Sequence, residues 1–131
     1  MVIRNQNRKG VAAVEFACVL PVIVIVLASA LEIGCGIHML SALQHAAREG
    51  ARHSVVQGAT QTSVNEVCLI SLNANGIKAA QIAITPDPFS AKSGAFIQVT
   101  VSASAAENSW TQIMKLFGSK PFTSTVTMRK E

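Results

Sequence analysis

The sequence predicts an α+β fold in which a long N-terminal helix packs on a small three-stranded antiparallel sheet with two short helices. An apolar run extends from residue 10 to about residue 36, and apolar residues continue at helical spacing to about residue 56. Three later segments alternate apolar and polar residues, as half-buried strands do. Two short helical patterns separate them, so the expected order of elements is α–α–β–β–α–β.

Composition fits a membrane segment joined to a modest globular part. The chain has 131 residues, which indicates one domain, and 50% of them are hydrophobic. Three of its 11 bases, Arg4, Arg8 and Lys9, lie before the apolar run, and the remaining bases nearly balance the seven acids. Without a basic stripe carrying aromatic residues, a nucleic-acid partner is not expected. No nucleophile, metal-protease or phosphate-loop motif occurs, so neither an enzyme nor a cofactor is expected.

Residues 11–36 are predicted to form a transmembrane helix. These 26 residues would extend about 39 Å as a helix, and a bilayer hydrocarbon core is about 30 Å thick. Glu15 lies just before an uncharged stretch, and an acid in a membrane helix is a functional-site hypothesis. Pro21 should kink the helix, because it removes a hydrogen bond to the Ala17 carbonyl. The preceding bases place the N-terminus in the cytoplasm and the C-terminal domain outside.

A signal peptide is an alternative interpretation of the same segment. Ala28-Ser29-Ala30 follows a basic and then an apolar region, and cleavage after Ala30 would release a soluble binding protein. The uncharged stretch is long for a signal peptide, and a discarded segment has no need of Glu15. A further alternative is an uncleaved, single-pass, membrane-anchored assembly factor.

Residues 37–58 are expected to continue the helix in amphipathic form, with a bend at Gly34–Gly36 as an option. Residues spaced three and four apart define its predicted packing face: Ile37, Leu40, Leu43, Ala47 and Ala51.

Residues 59–131 are predicted to form a small α+β extracytoplasmic domain. After a linker at 58–62, Ser63 and Glu66 have the form of a capping box, and Asn75-Gly76 ends that helix. The strands are expected around residues 82–85, 95–103 and 122–128, with a turn at Pro86-Asp87-Pro88. The second short helix would begin at Asn108 or Ser109 and carry four core residues: Trp110, Ile113, Met114 and Phe117.

Neither the cysteines nor the histidines form a recognisable metal motif. Cys18, Cys35 and Cys68 include no CxxC pair. A Cys35–Cys68 disulfide outside the membrane is one alternative, and three unpaired thiols, favoured by the odd count, are the other. The histidines, His38, His45 and His53, are seven and eight residues apart, whereas helical zinc pairs are usually four apart.

The N-terminal motifs, taken in order, resemble the TadE-like pseudopilins of Tad/Flp pili. Arg8-Lys9-Gly10 is followed by Val11-Ala12-Ala13-Val14-Glu15-Phe16 and an apolar run with Pro21. Glu32-Ile33-Gly34 and the stretch from Ala46 to Arg52 are similar to the same family, and the last six residues also resemble it. Phe16 stands where Flp major pilins usually have tyrosine, and the outer domain is larger than theirs, which favours a pseudopilin or minor pilin with a pilin-like fold.

The resemblance implies that a prepilin peptidase removes residues 1–10 as a cytoplasmic leader, cutting between Gly10 and Val11. It assigns Glu15, followed by Phe16, to register between subunits, through a pair with the new Val11 amine of the same or a neighbouring chain. The implied partners are the peptidase, other pilins or pseudopilins, assembly-platform proteins and the lipid bilayer. The implied location is the bacterial inner membrane or the pilus, in support of adhesion, biofilm formation or secretion.

Overall fold

A single helix, α1 (Asn7–Ser54), accounts for more than a third of the chain. This computed structural model describes residues 7–109 and 120–130, with side chains from Gly10 onward. The 48 residues of α1 extend about 72 Å at 1.5 Å per residue. The helix continues through Pro21 and through Gly34–Gly36, so the predicted long helix is confirmed. It begins four residues before the predicted start at residue 11 and ends at Ser54, two residues before the end of the apolar pattern near residue 56 and four before the predicted boundary at residue 58.

The packing face of α1 differs from the predicted one at its beginning. Ile37 and Leu40 are 65% and 37% exposed, whereas Met39 and Leu43 are buried. The buried face is rotated by roughly a quarter turn and carries mostly small side chains, which let the helix lie close to its neighbours. It consists of Met39, Ala42, Leu43, Ala46, Ala47, Gly50, Ala51 and Ser54.

The second helix, α2 (Gln61–Ala74), begins earlier than predicted. Thr60 is the N-cap: its hydroxyl accepts from the Ser63 N–H at 3.2 Å, and the Ser63 hydroxyl accepts from the Thr60 N–H at 3.1 Å. The predicted box with Ser63 as N-cap and Glu66 as partner is therefore wrong, because Ser63 itself fills the third helical position of a box one turn earlier. The predicted end is confirmed by the C-cap Asn75 and by Gly76, whose φ is +72°.

The sheet contains β1 (Ala80–Thr85), β2 (Phe96–Ser104) and β3 (Pro121–Arg129) in that spatial order, all antiparallel. In the central strand, the predicted alternation is confirmed, because Ile97, Val99 and Val101 are fully buried. Val99 faces Ile84 on one side and Val126 on the other. The second half of α1 covers this apolar face, as expected, and α2 packs beside it against β1.

A hydrogen-bonded loop and a one-turn helix lie next to the ends of the strands. In the predicted turn, the Asp87 carboxylate accepts from the Phe89 N–H at 3.1 Å. The Lys130 ammonium donates to the Pro88 and Ala91 carbonyls, at 2.6 and 3.1 Å, and so holds this loop against the end of β3. A one-turn helix, α3 (Ala105–Asn108), follows β2. The helix predicted on Trp110, Ile113, Met114 and Phe117 lies outside the described residues.

Candidate functional site

The N-terminal part of α1 stands apart from the rest of the fold. Every residue from Gly10 to Leu31 is exposed except Ala28, which is half-buried. These 22 residues extend about 33 Å, enough for a hydrocarbon core of about 30 Å. α1 is the one helix among the described residues that is long and apolar enough to cross a membrane. The Ser29 hydroxyl donates a hydrogen bond to the Ile25 carbonyl at 2.8 Å, so this polar group has its partner within the helix.

Glu15 lies in the first turns of this exposed segment and is itself exposed. No lysine or arginine occurs in the sequence between Lys9 and Arg48. Removal of residues 1–10 would therefore leave the Val11 amine as the nearest strong cation on the same helix, one turn from Glu15. Arg48 is 33 residues away, or about 50 Å along the axis.

The predicted cleavage point lies in the first turn of α1. Gly10 is exposed, and a β-carbon added there would meet no atom within 4 Å. The first four N–H groups of a helix have no intrahelical acceptor, so this turn is held less firmly than the turns that follow. Phe16 is 63% exposed and Pro21 is also exposed, so neither packs on the domain.

A second carboxylate, Glu32, lies where the exposed segment meets the domain. It is 6% exposed and accepts a hydrogen bond from the Ser109 hydroxyl. It lines a small cavity beside Cys35, Met39 and Asn108. Glu32 is part of the stretch that resembles the TadE-like proteins, but the resemblance gives it no role. One feature of the sequence could have indicated its burial. Glu32 lies seven residues, or about two helical turns, before the buried Met39, so both side chains are on the same face of α1.

The domain is fastened to α1 at a close helix crossing. Gly50 has so little space that an added β-carbon would lie 2.3 Å from Cys68 Sγ and 3.3 Å from Val99 Cγ1. The Cys68 thiol is fully buried and donates to the Ala46 carbonyl at 3.5 Å. Burial, with a smaller contribution from Glu49, raises the pKa of this thiol to about 11. Cys68 is thus an inert core group at pH 7.

The structure does not bring Cys35 and Cys68 together. All three cysteines, including the exposed Cys18, are free thiols. Cys68 contacts Ala46, which is 11 residues beyond Cys35, or about 16 Å along α1. A disulfide needs Cα atoms within about 7 Å, so one chain of this shape does not form the Cys35–Cys68 bridge, and the alternative of three unpaired thiols describes this structure.

The histidines are also dispersed. His38 and His45 are exposed and His53 is half-buried, with His38 Nε2 lying 3.4 Å from the Asn75 carbonyl oxygen. Within residues 7–109 and 120–130, no three histidine, cysteine or acidic side chains are grouped closely enough to hold a metal ion.

Comparison with known proteins identifies the same part of the chain. A family model described as TadE-like protein matches residues 10–52, which run from Gly10 through the exposed segment to the helix crossing at Gly50. No curated protein and no solved structure matches the chain. The exposed apolar helix, with this family match, makes the chain a membrane-anchored protein. The predicted resemblance is confirmed: over residues 10–52 the chain matches the TadE-like proteins, a structural family associated with Tad pili.

Proposed function

We propose that this protein is a structural pseudopilin or minor pilin of a Tad-type pilus, supporting adhesion, biofilm formation or secretion. The observation that carries the proposal is the division of α1. One part, Gly10–Leu31, is exposed and apolar, while the part from Glu32 onward is built into a folded domain. The family match covers both parts of the helix and the junction between them. A membrane anchor rigidly continuous with an outer domain suits a subunit that leaves the bilayer as one body.

The first step is removal of residues 1–10 by a prepilin peptidase. The peptide bond after Gly10 lies in the first turns of α1, and the residues from Gly10 to Leu20 are exposed, so the turn can unwind without disturbing the domain. Cleavage also removes Arg4, Arg8 and Lys9, the cytoplasmic bases that oppose movement of the helix out of the membrane.

In the second step Glu15 sets the register between subunits. A pair with the Val11 amine of the same exposed helix would contribute only about 0.3–0.5 kcal/mol. Between subunits the pair would be buried in apolar surroundings, and removing one partner of a buried pair costs about 3–5 kcal/mol. The intermolecular pair therefore favours one axial position over shifted ones, in which a carboxylate would be left in lipid without a cation.

Two alternatives keep the same fold. An uncleaved anchored assembly factor would retain residues 1–10. A secreted protein cut after Ala30 would lose no buried residue from Gly10 onward, because the first buried residue of that segment is Glu32. Domain stability thus does not discriminate between these alternatives and the pseudopilin.

The assembly step can be tested with Glu15→Ala and Glu15→Gln in the native host. The matched control is Val24→Ala, which alters another exposed side chain of the same helix. We expect all variants to be inserted and cleaved, with the amount in sheared filaments or purified pilus complexes falling at least tenfold for both Glu15 variants alone. Wild-type incorporation of Glu15→Ala would refute the register role.

A further inference from the structure

A groove lies between α1 and the turn that follows α2, at the level where the exposed apolar segment ends. Its wall on α1 includes Leu31, Gly34 and His38, and its opposite wall includes Gly76 and Ile77. Its volume is about 410 Å³, which is towards the lower end of the roughly 300–1,000 Å³ of small-ligand sites.

The lining changes from apolar to polar along α1. The groove starts beside Ala30 and Leu31, within the uncharged stretch, and reaches Met39 about 14 Å farther along the helix. Its lower end is apolar, while His38 and the Asn75 carbonyl lie near its upper end, 3.4 Å apart. A ligand that fits this gradient has an apolar part at bilayer depth and a polar part at the membrane surface.

The backbone of Lys78 is held beside the polar end of the groove. The backbone N–H of Lys78 donates to Asn108 Oδ1 at 2.8 Å, and the Lys78 carbonyl accepts from Asn108 Nδ2 at 3.1 Å. Asn108 lines the groove, and the Lys78 side chain is exposed. Of the acids near this end, Glu32 is buried and bonded to Ser109, and Glu107 is exposed on α3. Lys78 therefore supplies a cationic donor for a phosphate group at headgroup level, beside the polar His38.

We infer that this groove binds one phospholipid of the surrounding bilayer, with an acyl chain against Leu31 and Gly34 and the phosphate beside His38 and Lys78. The lipid fills an apolar space at the point where the domain leaves the membrane. The inference rests on membrane anchoring and requires neither cleavage after Gly10 nor pilus assembly, so either proposal can fail without the other.

Gly34→Leu provides a selective test, because a β-carbon at Gly34 meets no protein atom within 4 Å. The full chain would be purified in mild detergent, and bound phospholipid would be counted by native mass spectrometry after addition of dioleoylphosphatidylglycerol or dioleoylphosphatidylcholine. The matched control, Ala17→Leu, creates the same side chain, with one added carbon fewer, at an exposed position of α1 outside the groove. Protection of Cys68 from a thiol reagent reports that each variant is folded.

We expect about one retained lipid per wild-type chain and per Ala17→Leu chain, and at least a fivefold loss for Gly34→Leu. Lys78→Gln should lower retention of both lipids, whereas Lys92→Gln, in the β1–β2 loop, should not. Equal retention by Gly34→Leu and Ala17→Leu, or absence of bound lipid from the wild type, would overturn the inference. A third result would also overturn the inference: the wild type forms a dimer, and Gly34→Leu disrupts that dimer while lipid retention stays unchanged. The groove would then be occupied by a second copy of the chain.

Discussion

Replacing Gly50 by alanine measures how tightly the domain is fastened to α1. The added β-carbon would lie 2.3 Å from Cys68 Sγ, so the two groups must separate by about 1.2 Å to reach a normal contact of about 3.5 Å. Overpacking of this kind costs about 1–3 kcal/mol. Alanine recovers about 0.8–1.0 kcal/mol through its higher helix propensity. Since the buried thiol is also bonded to the Ala46 carbonyl and cannot easily move away, we expect an overpacking cost at the upper end of this range, which leaves a net loss near 2 kcal/mol.

Cys68→Ala provides the matched control for this variant. Alone it removes one buried sulfur and should cost about 1 kcal/mol, as other single-group core deletions do. Combined with Gly50→Ala, it leaves space for the new methyl group, whose next contact is Val99 Cγ1 at 3.3 Å. The double variant should then unfold within about 1 kcal/mol of wild type, a coupling of about 2 kcal/mol.

The assay is urea unfolding of the full chain in mild detergent, followed by circular dichroism and by labelling of Cys68 where it is present. Additive losses in the double variant would show that Gly50 and Cys68 do not contact each other, and would refute this helix crossing.

Three further predictions follow from named groups. Gly10→Leu should leave the unfolding curve unchanged, because Gly10 is exposed and a β-carbon added there meets no atom within 4 Å. It should block leader removal, and processing at the wild-type level, seen as a mobility shift on gels, would contradict the proposed cut. Asn108→Ala removes three side-chain hydrogen bonds, two to Lys78 and one to Ser104. At roughly 0.5–1.5 kcal/mol for each bond, the free energy of unfolding should fall by about 2 kcal/mol. A fall of less than about 0.5 kcal/mol would show that these bonds contribute little. The pKa of Cys68 is raised from 9.0 to about 11 in the folded protein, so the unfolded chain loses this proton at a lower pH than the folded chain does. The free energy of unfolding should therefore be constant below pH 9 and should fall as pH rises towards 11, by about 1 kcal/mol between pH 9 and pH 10. The same pH dependence in Cys68→Ala would refute this cause.

The strands and helix types could be predicted from sequence because their patterns have one phase. In β2, Ile97, Val99 and Val101 alternate with polar residues, so only one face can be buried. The first helix has apolar residues on several sides beyond the membrane segment. Ile37 and Leu40 therefore fit a helical stripe as well as Met39 and Ala42 do, and only the packing partners decide between them.

The candidate site was predictable from sequence only in part. Gly10, Glu15 and Phe16 are recognisable because their order along the chain carries the resemblance, whatever the fold of the domain. The burial of Glu32 depends on Ser109, 77 residues later, and the tight space at Gly50 depends on Cys68 and Val99. Such contacts between distant segments leave no periodic signal in the sequence.

The most direct test of the account is the N-terminal sequence of the mature protein purified from membranes or pili of its native host. The pseudopilin proposal predicts a free amine on Val11, with residues 1–10 absent. An N-terminus at Met1 would instead indicate an uncleaved membrane-anchored factor, and one at Leu31 a secreted protein, and either result would contradict the proposed processing and the role of Val11 in pairing with Glu15.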